Sequence, residues 1–306
     1  MKAFFIINPK SAGGKTGMKI QKLKSLIQEQ YEHFSISETT EPEHATILTR
    51  EAIHASYDHI FSVGGDGTFN QIANGYLFND KPLNPEVSLS IIPAGTGGDF
   101  RRSLQIENNI EQAIRRAEHS EPRFIDCGKC ICADSLGKLN LRYFDNVASL
   151  GLSVNVAEKV NNSTHLKKLG GTVAFLLAGI SVILKHKPNL ISLSVDDELI
   201  GELSINLLAI ANGTYFGGGM KIAPHAKLDD GLFDVIILEN LNRFELLTNN
   251  SKVYYGGHLK HKKVKSLRAK KVKIHSKELL RIETDGEPIG FTDAEFEVLP
   301  GVLKMR

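Results

Sequence analysis

The chain has no tryptophan, only three cysteines among 306 residues, and no apolar run of membrane-spanning length. Three cysteines cannot build a disulfide framework in a chain of this size, which agrees with a reducing compartment. Cys127, Cys130 and Cys132 cluster, but a structural zinc site takes four ligands and no nearby histidine pair completes one. They read as small residues of a strand. The longest mainly apolar stretch, Thr172 to Leu184, falls short of the roughly 20 residues that cross a bilayer, so no transmembrane helix is expected. The apolar start, Ala3 to Ile7, is too short for a signal-peptide core and stops at the turn dipeptide Asn8-Pro9, so the protein is read as cytoplasmic. An excess of one charge is also lacking. Thirty-seven basic side chains face 35 acidic ones, for a net charge of +2, too balanced for nucleic acid to be an expected partner.

Hydrophobic residues make up 42% of the sequence, and the length exceeds what one core usually fills, so two domains are expected, 1–122 and 123–306. In the first, strand candidates Ala3–Ile7, Phe34–Glu38, His59–Val63 and Val87–Ile92 alternate with helical spacings. Ile20, Leu23, Leu26 and Ile27 form one apolar face, Ala45, Leu48 and Ala52 another, and Asn108 to His119 reads as a last helix. That alternation predicts an α/β domain with a parallel sheet. From Arg123 onward strand-like runs follow one another (Asn189–Val195, Leu203–Ala211, Phe233–Leu238, Val272–Ile274, Leu280–Thr284), which predicts a mainly antiparallel second domain. Helices over Gly171–Lys185 and Arg243–Tyr255 interrupt it.

Three glycine-rich turns carry the chemistry. After the first strand comes Asn8-Pro9-Lys10-Ser11-Ala12-Gly13-Gly14-Lys15-Thr16-Gly17. Such a strand–loop–helix turn aims peptide N–H groups and a positive helix end at an anion. Gly14-Lys15-Thr16 imitates the end of a Walker A loop, but Pro9 stands where that motif needs glycine, so it is not a P-loop. The third strand runs into Gly64-Gly65-Asp66-Gly67-Thr68-Phe69-Asn70. Its glycines permit close approach to phosphate, Thr68 is expected to cap the next helix, and Asp66 is placed to meet Mg²⁺ or a hydroxyl proton. Asn70 breaks the dinucleotide fingerprint. After the next strand comes Pro93-Ala94-Gly95-Thr96-Gly97-Gly98-Asp99. Three such turns at the carboxyl ends of neighbouring parallel strands converge on one crevice, for which a polyphosphate is the economical ligand.

In this order, with Thr40 and His44-Ala45, Ala226-Lys227-Leu228-Asp229-Asp230-Gly231 and Asp285-Gly286-Glu287, the motifs resemble the diacylglycerol kinase catalytic-domain family, which includes sphingosine and ceramide kinases. The resemblance implies ATP and Mg²⁺ as cofactors, a lipid hydroxyl as acceptor, a C-terminal β-sandwich, and an active site in the cleft between the domains. It further implies ATP contacts at Asn8, Pro9, Lys10, Ser11, Ala12, Lys15, Thr40, Gly64, Gly65, Asp66, Gly67, Thr68, Phe69, Asn70, Gly95 and Thr96. Glu287 would take the acceptor proton, with Asp66 the rival carboxylate. The Lys227 and Leu232 carbonyls and the Asp230 carboxylate would hold a structural Mg²⁺ in members that have one. Gly98 departs from the family's asparagine, and Arg101-Arg102 are placed to compensate at phosphate.

The basic run Lys260 to Lys271 either draws the protein to an anionic membrane at the inner face or is a solvated edge strand. The helix around Gly170–Gly179, apolar nearly all round, is expected to be buried, the alternative being that it lines an acyl-chain pocket beside a substrate cleft. Gly217-Gly218-Gly219 reads as a close-approach turn or a flexible connection. A homodimer is left open. Two other readings remain: a kinase of a soluble molecule such as NAD, and a non-catalytic nucleotide- or lipid-binding regulator.

Overall fold

The structure, a computed structural model, describes residues 1–18, 20–95, 98–163 and 171–306. They form two compact units, Met1–Asp126 with Pro300–Arg306, and Cys127–Leu299.

The first unit is built on β1 (Ala3–Ile7), β2 (Phe34–Glu38), β3 (His59–Gly64) and β6 (Ser88–Pro93), with a small hairpin, β4 (Leu77–Phe78) and β5 (Lys81–Pro82). The strands lie in the order β2-β1-β3-β6, and each neighbouring pair is parallel. Every residue of β1 and β3 is buried, as strands covered on both faces must be. Among the described residues, helices α1 (Lys15–Met18), α2 (Ile20–Gln30), α3 (His44–His54), α4 (Asp66–Tyr76), α5 (Asp99–Ser103) and α6 (Ile110–His119) connect and cover them. Helix α2 buries Ile20, Leu23 and Ile27 into the cluster where Phe5 stacks on Phe61 at 4.3 Å. Helix α6 starts two residues later than expected because Asn109 caps it, its side chain accepting the Gln112 N–H at 3.1 Å. Helices α3 and α4 approach closely at Gly75, where a Cβ would meet the Thr46 carbonyl at 2.5 Å.

In the second unit β7 (Arg123–Ala133), β8 (Leu139–Phe144) and β9 (Val147–Gly151) lead to α7 (Leu152–Asn162) and α8 (Gly171–Ile183). Next come β10 (Asn189–Val195), β11 (Glu198–Ala211), β12 (Phe233–Glu239), α9 (Arg243–Asn250), β13 (Val264–Ala269), β14 (Lys271–His275), β15 (Arg281–Thr284) and β16 (Glu287–Met305). Strands β13-β12-β11-β10-β14-β16 pair antiparallel in that order, and β9 joins β11 to β15. Strand β11 is buried on both faces. Leu208 and Ile210 enter a core with Phe144, Phe233 and Phe296, while Leu207, Ala209 and Ala211 enter another beneath α7, α8 and α9.

Three expectations change. Residues 123–306 were expected to form one domain, but the end of β16 belongs to the first unit. Met305 pairs in parallel with Leu89, and Ser90 Oγ donates to the Arg306 carbonyl at 2.7 Å. A local pattern cannot reveal that one strand leaves one unit for another. Helix α7 was not foreseen. Helix α8, expected to be buried, leaves Val173, Leu177 and Ile180 exposed on one side while Ala174 and Ala178 are buried on the other.

Candidate active site

In the first unit, hydrogen bonds stitch the turns that follow β1, β3 and β6. The Asn8 N–H donates to the Val63 carbonyl at 2.9 Å and Asn8 Nδ2 to Thr68 Oγ1 at 3.1 Å, which ties the first turn to the second. Thr16 Oγ1 donates to the Ala94 carbonyl at 2.8 Å and shares a 2.6 Å bond with Ser11 Oγ, which ties the first to the third. Ala94 and Gly95 donate their N–H groups to the Gly64 carbonyl at 3.1 and 2.8 Å. Gly65 and Gly95 then approach so closely that a Cβ on Gly95 would lie 2.4 Å from Gly65 Cα. Only glycine permits that approach.

Ala12, Gly13 and Gly14 are all left-handed, with φ of 53, 65 and 88°. Asn8 Oδ1 accepts the Lys10 N–H at 3.0 Å, and Lys10 Nζ donates to the Thr40 carbonyl at 3.1 Å. Thr40 Oγ1 lies 3.0 Å from His44 Nδ1. Asn8, Lys10 and Thr40 therefore belong to one hydrogen-bonded rim. Helix α4 opens at Asp66 with Gly65 at its N-cap and no side-chain cap. Thr68 was expected to provide that cap. It sits inside the first turn instead, its N–H on the Gly65 carbonyl at 3.0 Å and its hydroxyl on Asn8. Phe69 is buried and stacks on Phe100 at 5.2 Å, and Asn70 is buried, its carbonyl accepting from Asn74 Nδ2 at 2.9 Å. Phe69 also lines the cleft beside Gly65 and Asp66, while Asn70 braces the helix.

Asp66 Oδ2 accepts the Asp99 N–H at 2.8 Å, and Asp99 Oδ1 pairs with Arg102 Nη1 at 2.6 Å. Gly64, Gly65, Asp66, Gly95 and Arg101 line a cleft. Gly98 has φ of 68°, and a Cβ there would meet Arg101 Nε at 2.9 Å. Arg101 thus fills the space that the family's asparagine side chain would need. Burial, with Arg102 nearby, lowers its affinity for a proton. Thr96 lies outside the described residues.

In the second unit, Asp285 and Gly286 have φ of 51 and 84° and form the two-residue turn between β15 and β16, where Thr284 pairs with Glu287. The turn presents exposed Glu287 at the start of β16. Behind it, Asp285 accepts N–H groups from Asp145 at 2.9, Asn146 at 3.1 and Val147 at 2.9 Å. Burial nonetheless pushes its carboxyl up. Glu283, fully buried and bonded to Ser149 Oγ, is pushed up by burial to about 7, with Asp285 and Glu287 adding to the rise. Sequence reading missed Asp145, Ser149 and Glu283, because only the β9–β15 pairing assembles them. The Asp-Gly dipeptide between strand-like runs is a hairpin signal that would have placed the turn.

The loop assigned to a structural Mg²⁺ is occupied by protein. One Asp230 oxygen accepts the Leu232 N–H at 3.2 Å, and the other pairs with Arg268, whose Nε is 3.9 Å from Asp234. Arg268 stands opposite Asp234 in the β12–β13 ladder. Its guanidinium already supplies the positive charge, so the donor set of Lys227, Asp230 and Leu232 does not fit a structural cation. Among the described residues, no group of three or more His, Cys, Asp or Glu side chains is arranged to hold a metal.

A family model described as diacylglycerol kinase catalytic domain matches residues 2–130, and one described as YegS C-terminal NAD kinase beta sandwich-like domain matches residues 146–306. A protein named diacylglycerol kinase from Staphylococcus aureus (strain bovine RF122 / ET3-1) is 33% identical over 298 residues, 96% of this chain and 89% of that protein. The chain belongs to the diacylglycerol kinase family. In fold it resembles the crystal structure of a diacylglycerol kinase from Bacillus anthracis str. Sterne, 23% identical with a TM-score of 0.72, covering 99% of this chain and 96% of that one. It resembles more distantly an NAD kinase from Archaeoglobus fulgidus crystallised with ATP, 14% identical with a TM-score of 0.50, covering 99% and 90%.

Proposed function

We propose that the protein transfers the γ-phosphate of ATP to the hydroxyl of a lipid such as a diacylglycerol or a sphingoid base. The observation that carries this is the contact of Gly65 with Gly95, which leaves peptide backbone, a helix start and Arg101 around one crevice. Peptide N–H groups at the start of α4 and in the left-handed Ala12–Gly14 run suit the phosphates of ATP. Lys10 and Lys15 add positive charge, and Asp66 fixes the third turn through the Asp99 N–H. Mg²⁺ would enter as the counter-ion of the nucleotide and neutralise part of its charge. Phosphoryl transfer asks the protein mainly to position the two oxygens and to take up one proton. Glu287 is the proton acceptor in this reading, and Asp285, held by three peptide N–H groups, fixes the turn that presents it.

The acceptor is assigned from the family and from the relatives' names, and NAD kinases share the fold. Incubation with ATP labelled in the γ-phosphate separates the readings when a total lipid extract and NAD are offered in parallel. A labelled lipid is expected. A labelled soluble product alone would overturn the lipid assignment, and no turnover over any acceptor would return the chain to a binding role.

A further inference from the structure

Helix α8 is apolar on both sides and yet only one side is covered. Ala174, Ala178 and Ile183 are buried in the core beneath the helices. On the other side Val173, Leu177, Ile180 and Leu184 are 47, 46, 39 and 52% exposed. Their spacing of four, three and four residues places them in one stripe along the helix. A helix that is apolar all round is normally enclosed, and a continuous exposed stripe marks an interaction surface.

The charge of the helix and of the segment that follows it is of one sign. Gly171 to Pro188 contains no Asp or Glu, and Lys185 and Lys187 are exposed at its end. Exposed Lys159 on α7 reaches across to donate from Nζ to Ser181 Oγ of α8. Its neighbour Glu158 is paired with Arg281. An apolar helix face bordered by lysines is the composition of a helix that lies in the interface of an anionic bilayer. The basic run 260–271, the other candidate for that role, has three of its lysines paired with carboxylates: Lys263 with Glu245 at 2.8 Å, Lys265 with Glu239 at 2.6 Å and Lys271 with Glu295 at 2.5 Å.

We infer that the stripe Val173–Leu177–Ile180–Leu184 docks this protein on an anionic lipid bilayer, the helix lying along the surface with its lysines at the headgroups. The inference draws its purpose from the lipid-acceptor reading, while its physical basis is the stripe and its charge.

The chain has no tryptophan, so Leu177→Trp places a single reporter in the stripe. On addition of vesicles of phosphatidylglycerol and phosphatidylcholine, its emission should shift to the blue and be quenched by brominated acyl chains. The double variant Leu177→Glu/Ile180→Glu should bind the same vesicles roughly a hundredfold more weakly, about tenfold for each side chain no longer transferred from water. Its turnover on a detergent-dispersed acceptor should be unchanged. Unshifted tryptophan emission, or wild-type vesicle binding by the double variant, would overturn the inference. So would emission already blue-shifted without vesicles together with concentration-dependent sedimentation, which would assign the stripe to a second copy of the chain. If the reporter enters vesicles but no lipid is phosphorylated, the docking surface stands and the acceptor assignment falls.

Discussion

In the first unit the candidate site is made of backbone: Gly65 and Gly95 meet at van der Waals limits, and Asn8, Thr16 and Gly64 bind neighbouring turns rather than point outward. The acidic cluster of the second unit is made of side chains, with Glu283 buried against Ser149 and Asp285 beneath three N–H groups. A backbone site is indifferent to protonation and intolerant of added volume. A buried carboxylate site behaves the other way, because desolvation makes its charge state the sensitive variable.

The sharpest way to separate the two is by volume. Gly95→Val puts atoms where Gly65 Cα stands and should force the turns apart, lowering stability by roughly 1–3 kcal/mol, as overpacking does, and reducing ATP affinity severely. Gly67→Ala, in the first turn of α4 with no atom within 4 Å of its Cβ, should leave stability unchanged or raised by about 0.5–1 kcal/mol. Thermal unfolding and nucleotide titration of both variants measure the contrast. Equal melting temperatures would show that the contact between turns is not tight.

Protonation tests the other half. The Glu283 carboxyl is raised from 4.5 to about 7 in the folded chain, so the folded state holds a proton that the unfolded state has released between those values. Its contribution is fully present below the unfolded value and is lost as pH rises through 7, by at most on the order of 3 kcal/mol. Glu283→Gln should therefore raise the melting temperature at pH 8, leave it nearly unchanged at pH 4, and flatten the wild-type decline between them. A variant with the wild-type slope would remove Glu283 as its source.

The smallest effect is expected at the surface. Replacing Lys262, Lys263, Lys265, Lys270 and Lys271 by glutamine should alter binding to anionic vesicles only slightly, since three of the five already face carboxylates. Exposed pairs of this kind contribute roughly 0–1 kcal/mol each to stability. A large loss of vesicle binding would move the docking surface from α8 to this stretch.

The same contrast explains what could be read from the sequence. Glycine turns are local, so Gly64–Asn70 and Gly95 could be named from residue order, and β1 from an unbroken apolar run. Asp285 and Glu287 were found through motif resemblance. Asp145, Ser149 and Glu283 could not be found, because they become neighbours only when β9 pairs with β15. Arg268 at Asp230 required the β12–β13 register. The exposure of α8 could not be read from a helix apolar all round, for composition says what a face is made of and not whether the fold covers it.

The division of labour between backbone and carboxylate is tested most directly by turnover and ATP affinity measured together in Glu287→Gln, with Asp66→Asn beside it. Glu287→Gln keeps the turn and its three N–H bonds to Asp285 but cannot accept a proton. Turnover should fall roughly 10²- to 10⁴-fold, the usual contribution of a positioned base, with ATP affinity close to wild type. Asp66→Asn should impair both turnover and ATP affinity, because it weakens the bond to the Asp99 N–H that fixes the third turn. Wild-type turnover in Glu287→Gln, with the loss confined to Asp66→Asn, would contradict the account and pass the role of base to Asp66.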